Sequence, residues 1–267
     1  MKKSASIFLS FLLVSCGGHG VQQAEKWTEQ DISRYVVYWE TLPKSEAQAE
    51  IDGFFDRIVA SELADTTAHT YIQVTEWVSK YLYDPNSPVR DEDLYLPFVK
   101  RMASSELTPE DYRPGYMYQA EMCSLNRYGN KAADFKYRDA DGGDHTLYGL
   151  EAENTVLFFS NPGCQACKAI IETLRESDRV SAMLADGRLA VVNVYIDEDV
   201  EAWYGYMSFY PEEWYNGYDQ DLLIRSDELY SLRAIPSLYI LDSEKKVVMK
   251  DAVENEVFDY LLDMYER

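Results

Sequence analysis

Two cysteines lie where an apolar run gives way to a helical pattern, and this junction constrains the fold more than any other feature of the chain. Residues 155–159 read TVLFF, a continuous apolar run expected of a strand that is buried on both faces. Cys164 and Cys167 follow at once, and apolar residues recur at helical spacing from Cys167 to residue 174. A strand that leads into a helix predicts an α/β sheet with a right-handed crossover.

The spacing of these cysteines points to redox chemistry. A CxxC pair at the start of a helix brings its two sulfur atoms within disulfide reach. The sulfur of Cys164 would face the free N–H groups of the first turn, which favour the thiolate and lower the pKa of the thiol. A thiolate is the nucleophile of thiol–disulfide exchange, and Cys167 is placed to resolve the mixed disulfide. We therefore predict Cys164 and Cys167 as the catalytic, redox-active pair.

Other uses of a CxxC pair stay open, although the sequence favours them less. A structural zinc site needs four ligands, whereas the chain has neither a second CxxC nor a nearby pair of histidines. Attachment of haem would need a histidine after Cys167, where the chain has Lys168. An inert structural disulfide also fits the spacing. We expect no metal, and no cofactor beyond the Cys164–Cys167 disulfide.

The rest of residues 130–267 alternates between strand and helix patterns. The order is strand, strand, strand, helix, strand, insert, strand, strand, helix. The predicted strands are 134–138 and 145–150 in a hairpin, then 155–159, 189–196, 237–241 and 247–249, and an apolar stripe from 253 to 264 marks the final helix. The insert, residues 198–221, is rich in Trp and Tyr. We interpret it as an inserted helix that packs on the core, with an aromatic groove for a partner as the alternative.

Residues 28–128 predict an all-α domain. Ile32, Tyr35, Val36 and Trp39 recur at helical spacing, and similar stripes begin near 51 and 71. Further helices are expected at 93–103 and 115–125. The last of these carries Cys123, which we interpret as a buried inert thiol, with a third redox thiol serving Cys164 as the weaker alternative. The role of this domain stays open.

Two segments of the C-terminal half resemble the thioredoxin superfamily. They are TVLFFSNPGCQACK at 155–168 and YSLRAIPSLYILD at 230–242. The resemblance implies a thioredoxin-like fold, a central mixed sheet flanked by helices, preceded here by the all-α helical domain. It also implies a cis bond between Ile235 and Pro236 that places the Ile235 backbone beside the disulfide, where it can bind an extended substrate peptide. The hairpin and the insert resemble the membrane-anchored TlpA/ResA-like branch.

The chain departs from the family pattern around the cysteines. Phe158 occupies the position of the buried Asp of thioredoxin, Gly163 replaces an aromatic residue, and Ile170 replaces a Glu that is frequent in the branch. The general base is therefore unassigned, and the candidates are Glu172 and a water. Gln165-Ala166 lacks the His of strong oxidases. We expect a thiol–disulfide oxidoreductase, not a peroxiredoxin, that acts as a reductase or in exchange rather than as a strong oxidase.

The first residues predict export and lipidation. Lys2 and Lys3 precede the apolar run 7–14, which is too short for a permanent membrane span. The run ends in Leu-Val-Ser-Cys at 13–16, which resembles the lipobox of bacterial lipoproteins. Residues 1–15 would be removed, Cys16 would carry lipid, and residues 16–27 would form a tether. An ordinary secretory signal followed by a chance cysteine is the alternative.

Charge and export together limit the expected partners. The chain has 25 basic and 47 acidic residues and a net charge of −22, which disfavours nucleic acid. We expect a protein of the cell envelope that faces the periplasm and is lipid-anchored through Cys16. Its partners would be protein dithiols or disulfides of the envelope and an upstream membrane electron donor. The competing hypotheses are a non-enzymatic partner-binding lipoprotein with a structural disulfide, and a copper or zinc carrier.

Lipidation is testable with a single substitution. Cys16→Ala should move the protein from the membrane fraction to the soluble envelope fraction, because two or more acyl chains supply the stable anchoring. Fractionation followed by immunoblotting measures this. An unchanged membrane fraction would contradict the prediction.

Overall fold

In the computed structural model, residues 24–266 are described, so the predicted signal segment and Cys16 lie outside the described residues. Helices fill the first part of this range: α1 (Glu29–Glu40), α2 (Lys44–Ala64), α3 (Thr70–Leu82), α4 (Glu92–Ser104) and α5 (Arg113–Ser124), with a 3-10 turn at Glu110–Tyr112. None of the helices within residues 24–266 is both long and apolar enough to cross a membrane.

Side-chain caps and an apolar core explain why these helices form. Thr28 and Asp31 make a reciprocal capping box at the start of α1, and the Asp91 carboxylate accepts from the N–H of Leu94 at the start of α4. The apolar stripes predicted from the sequence meet in one core, in which Trp39 and Phe55 are among the largest buried side chains. The predicted all-α character of this region is confirmed.

A seven-stranded mixed sheet fills the rest of the described chain. Its strands are β1 (Lys136–Arg138), β2 (Asp144–Thr146), β3 (Asn154–Phe159), β4 (Leu189–Tyr195), β5 (Tyr215–Tyr218), β6 (Ser237–Asp242) and β7 (Val247–Met249). Their order across the sheet is β2-β1-β5-β4-β3-β6-β7, with β3, β4 and β5 parallel and the other pairs antiparallel. The helices of this half are α6 (Gln165–Arg175), α7 (Asp178–Ala185), α8 (Val200–Tyr206), α9 (Leu223–Ser226) and α10 (Glu254–Tyr265). The predicted α/β fold is confirmed.

The register of β3 places two loops at one end of the sheet. Phe159, the last residue of β3, lies opposite Val194 of β4 and opposite Ser237, the first residue of β6. The loop from β3 to Cys164 therefore begins at the same end of the sheet at which the loop containing Pro236 enters β6.

The insert differs from its prediction. Residues 200–206 are helical as expected, but β5 joins the sheet between β1 and β4 instead of continuing a helix. Asn216-Gly217 inside β5 reads as a turn signal. The structure shows another reason for the glycine: a Cβ atom there would lie 2.9 Å from the carbonyl oxygen of Arg138 and would collide with the ring of Tyr137. The sequence analysis also did not predict the short helices α7 and α9.

Gly217 therefore offers a test of the sheet topology. Gly217→Ala should lower the free energy of unfolding by about 1–3 kcal/mol, because the added methyl group overpacks β1 against β5. Urea denaturation measures this change. The matched control is Gly205→Ala in α8, where no atom lies within 4 Å of the new Cβ; we expect it to be neutral or stabilising by up to about 1 kcal/mol. Equal effects of the two substitutions would contradict the close contact.

Candidate functional site

The Cys164–Cys167 pair forms a disulfide at the start of α6, with the two Cα atoms 5.3 Å apart. Cys164 is the N-cap residue of α6, and residues 160–163 connect it to β3. Gly163 has a φ of 74°, in the left-handed region, and has open space around its Cα atom. This backbone conformation explains why glycine, rather than the aromatic residue of the family pattern, precedes Cys164.

The two sulfur atoms have different surroundings. Cys164 is half-buried, whereas Cys167 is 1% exposed and packs with Ile170 and Ile171 in the core between α6 and the sheet. The Sγ atom of Cys164 accepts a hydrogen bond from the backbone N–H of Cys167 at 3.2 Å. That N–H group and the helix N-terminus would stabilise a thiolate on Cys164 after reduction. The geometry fits Cys164 as the attacking sulfur and Cys167 as the resolving sulfur.

No carboxylate lies at the position beneath the disulfide where thioredoxin has its buried Asp. Phe158 occupies it and is completely buried. The polar groups nearby in the sheet are uncharged: the Ser160 hydroxyl donates to the Asn193 side-chain oxygen, and the Asn193 amide donates to Asn216 at 3.0 Å. The Glu172 side chain is 40% exposed on α6 with its carboxylate 3.7 Å from Lys168, so it is not positioned beneath the cysteines.

A carboxylate missed by the sequence analysis holds the loop before Cys164. Asp197, just after β4, accepts from the side-chain amide of Asn161 at 2.8 Å and also pairs with Arg225 of α9. The sequence did contain a signal for this residue, namely an acidic side chain directly after a buried strand. Because β4 is parallel to β3 and next to it, both strands end on the same side of the sheet, where Cys164 lies.

The second loop of the site contains Ile235 and Pro236. The peptide bond between them is cis, as the family resemblance implies. Both residues are partly exposed, and Ile235 packs against the same apolar core as Cys164. Together with the register of Phe159 opposite Ser237, this contact brings the predicted substrate-binding pair and the predicted catalytic pair to one end of the sheet.

The insert contributes to the core of this half. Trp203, Tyr210, Trp214 and Tyr218 are all less than 10% exposed. Phe209 is partly buried, and the cationic groups of Lys168 and Arg175 lie 5.6 Å and 5.5 Å from its ring centre. Most of the aromatic side chains therefore pack as predicted for a core segment, and only Tyr204 and Tyr215 are strongly exposed.

Cys123, the other cysteine within the described residues, is not part of this site. Cys123 is completely buried in the core of the helical region, and this burial raises the pKa of its thiol. Both observations favour the interpretation of Cys123 as an inert thiol. Cys16 falls outside the described residues. Over residues 24–266, no group of three or more His, Cys, Asp or Glu side chains is arranged to hold a metal ion.

Comparisons with known proteins cover both halves of the chain. A family model described as a domain of unknown function (DUF5106) matches residues 19–124. The crystal structure of a thioredoxin-like protein from Bacteroides caccae is similar over 88% of this chain and 83% of its own, with 36% sequence identity and a TM-score of 0.81. No curated protein matches.

Two further solved structures resemble the C-terminal half. The C-terminal domain of an uncharacterized protein from Bacteroides fragilis is 44% identical over 51% of this chain and 98% of its own, with a TM-score of 0.50. The thioredoxin domain of a thiol-disulfide oxidoreductase from Bacteroides vulgatus is 19% identical over 52% of this chain and 98% of its own, with a TM-score of 0.45.

The N-cap geometry of Cys164 predicts its reactivity in the reduced protein. In Cys167→Ala, which keeps the backbone N–H donor, the rate of Cys164 alkylation should level off at a lower pH than that of N-acetylcysteine. Its thiolate is stabilised, so the thiolate fraction is complete at lower pH. Stopped-flow reaction with iodoacetamide across a pH series measures both curves. Coincident curves would contradict activation by the helix.

Proposed function

This chain belongs to the thioredoxin-like proteins, and we propose that it is a thiol–disulfide oxidoreductase that acts through Cys164 and Cys167. The observation that carries the proposal is the asymmetry of the pair: a partly exposed sulfur that caps α6, and a buried sulfur one turn further in. A purely structural disulfide would need neither the accessible sulfur nor an N–H donor aimed at it. The same asymmetry argues against a non-enzymatic binding protein.

The reaction proceeds in two exchange steps. The Cys164 thiolate attacks one sulfur of a substrate disulfide, that S–S bond breaks, and the other substrate sulfur leaves as a thiolate. Cys167 then loses its proton to solvent and attacks the Cys164 sulfur of the mixed disulfide. The Cys164–Cys167 disulfide forms and the second substrate thiol is released, so two electrons pass from the protein to its substrate.

Ile235 and Pro236 provide the substrate-binding surface in this proposal. An extended segment beside the target cysteine would pair with the backbone of Ile235, which brings the substrate sulfur close to Cys164. The partial exposure of Ile235, and the core that it shares with Cys164, support this role. The chemistry needs no cofactor other than the cysteine pair.

The surroundings of Cys164 favour the reductase direction. A strong oxidant has a reduced form that is strongly stabilised. Here the contact to the Cys164 sulfur is a backbone N–H, and the nearby cation Lys168 is already paired with Glu172. We therefore propose reduction or exchange of disulfides in envelope proteins, with electrons resupplied by a membrane donor and with the chain held at the membrane by lipid on Cys16.

Trapping the mixed disulfide tests the proposal. Cys167→Ala removes the resolving thiol, which normally attacks at high effective concentration, so this variant should accumulate covalent complexes with envelope proteins. Cys164→Ala and the double variant should not. Non-reducing gels and mass spectrometry of the complexes measure this outcome and identify the substrates.

Turnover of insulin provides the complementary measurement. The wild type should reduce insulin with dithiothreitol as electron source, and each single cysteine variant should lose at least about 100-fold of that activity. Equal trapping by Cys164→Ala would reverse the assigned roles. Absence of both trapping and turnover would support the structural-disulfide hypothesis instead.

A further inference from the structure

Five charged side chains form a nearly solvent-free cluster between the helical half and the sheet half. We refer to Arg90, Glu92, Arg233, Lys250 and Asp251 as the interdomain charge cluster. The side chains of Glu92 and Lys250 are 1% and 5% exposed, and none of the five exceeds 12%. Arg90 and Glu92 come from the helical half, and the other three come from the loops that flank β6 and β7.

Glu92, the first residue of α4, binds three groups of the sheet half. One carboxylate oxygen lies 2.9 Å from Nε of Arg233 and accepts from the Ser231 hydroxyl at 2.8 Å. The other oxygen lies 2.7 Å from Nζ of Lys250. The helix N-terminus adds a favourable field for this carboxylate.

Asp251 completes the cluster from the sheet side. Its carboxylate accepts from Arg233 at 2.7 Å and from Arg90 at 3.3 Å, and its second oxygen accepts from the Ser237 hydroxyl at 2.9 Å. The guanidinium of Arg233 also lies 4.4 Å above the ring of Tyr83, at the end of α3.

These contacts converge on one short segment, residues 231–237. Ser231, Arg233 and Ser237 are its anchored side chains, and each binds Glu92, Asp251 or both. Ile235, which the proposed function assigns to substrate binding, lies between the second and third anchors. The hydrogen bonds from Ser231 to Glu92 and from Arg233 and Ser237 to Asp251 are charge-assisted, and such bonds are stronger than neutral ones, so they restrain where this segment lies.

We propose that Glu92 is a positioning residue for segment 231–237, through which the helical half sets the alignment of Ile235 with the disulfide. This inference rests on the proposed function for its catalytic consequence, but the structural coupling can be measured without it. Removal of the Glu92 charge would leave three cations around the single carboxylate of Asp251 in a buried site. Ser231 would lose its hydrogen-bond acceptor and Arg233 would lose one ion-pair partner, so the segment would loosen.

The test compares Glu92→Gln with wild type by hydrogen exchange and by kinetics. Amides of segment 231–237 should exchange at least about tenfold faster in the variant, while those of α6 and β4 change less than about twofold. The KM for insulin should rise about fivefold or more, with the rate of disulfide reduction by dithiothreitol, a small reagent that does not need the segment, unchanged within about twofold.

Two controls keep the result interpretable. Glu29→Gln breaks an exposed ion pair with Lys80 in the same helical half, 2.6 Å long, and should change neither readout. If Glu92→Gln does not fold, the variant Glu92→Gln/Arg233→Gln removes one charge of each sign and keeps the net charge of the cluster. It should show the same local loosening.

The outcomes separate the two proposals. A wild type that does not turn over insulin, together with a Cys167→Ala variant that traps no partner, refutes the proposed function, whereas hydrogen exchange still tests the positioning role. Unchanged exchange at 231–237, or an increase spread evenly over the sheet half, overturns the positioning role. Failure of both cluster variants to fold also overturns it, since the contacts would then serve folding of the whole chain.

Discussion

The placement of Cys164 depends on the pairing of β3 at the centre of the sheet. All six residues of β3 pair with β4 on one side and with β6 on the other. Val156 and Phe158 point into one apolar core, and Leu157 and Phe159 point into the core on the opposite face. A strand that is held on both edges and both faces has little freedom, so the loop that leaves it delivers Cys164 to a defined place beside the start of β6.

The features that the sequence predicted are those carried by short continuous patterns. The TVLFF run, the CxxC pair and the apolar stripe of α6 are contiguous, and the structure confirms the strand and helix they predict. Helix α7 could have been predicted as well, because Val180, Met183 and Leu184 repeat at helical spacing. The cis bond before Pro236 came from the family resemblance, since nothing in the local composition requires it.

The features that escaped prediction depend on contacts between distant residues. Strand β5 is short, and its Asn-Gly pair has the composition of a turn; it is extended because all four of its residues pair with β4. The interdomain charge cluster joins residues 161 positions apart, such as Arg90 and Asp251. In a strongly acidic chain, single charged residues are expected to lie on the solvent-exposed surface. These five are buried only because the two halves pack against each other.

Net stability alone is a weak explanation for this cluster. The desolvation of buried charges offsets much of their attraction, and apolar residues of similar volume are often as stabilising or more so. Apolar packing, however, is non-directional, and a purely apolar interface would hold the two halves together without specifying the path of residues 231–237. Glu92 and Asp251 instead bind specific polar atoms of Ser231, Arg233 and Ser237. Geometric control of the loop beside the disulfide is what charged groups supply here and what an apolar contact would not.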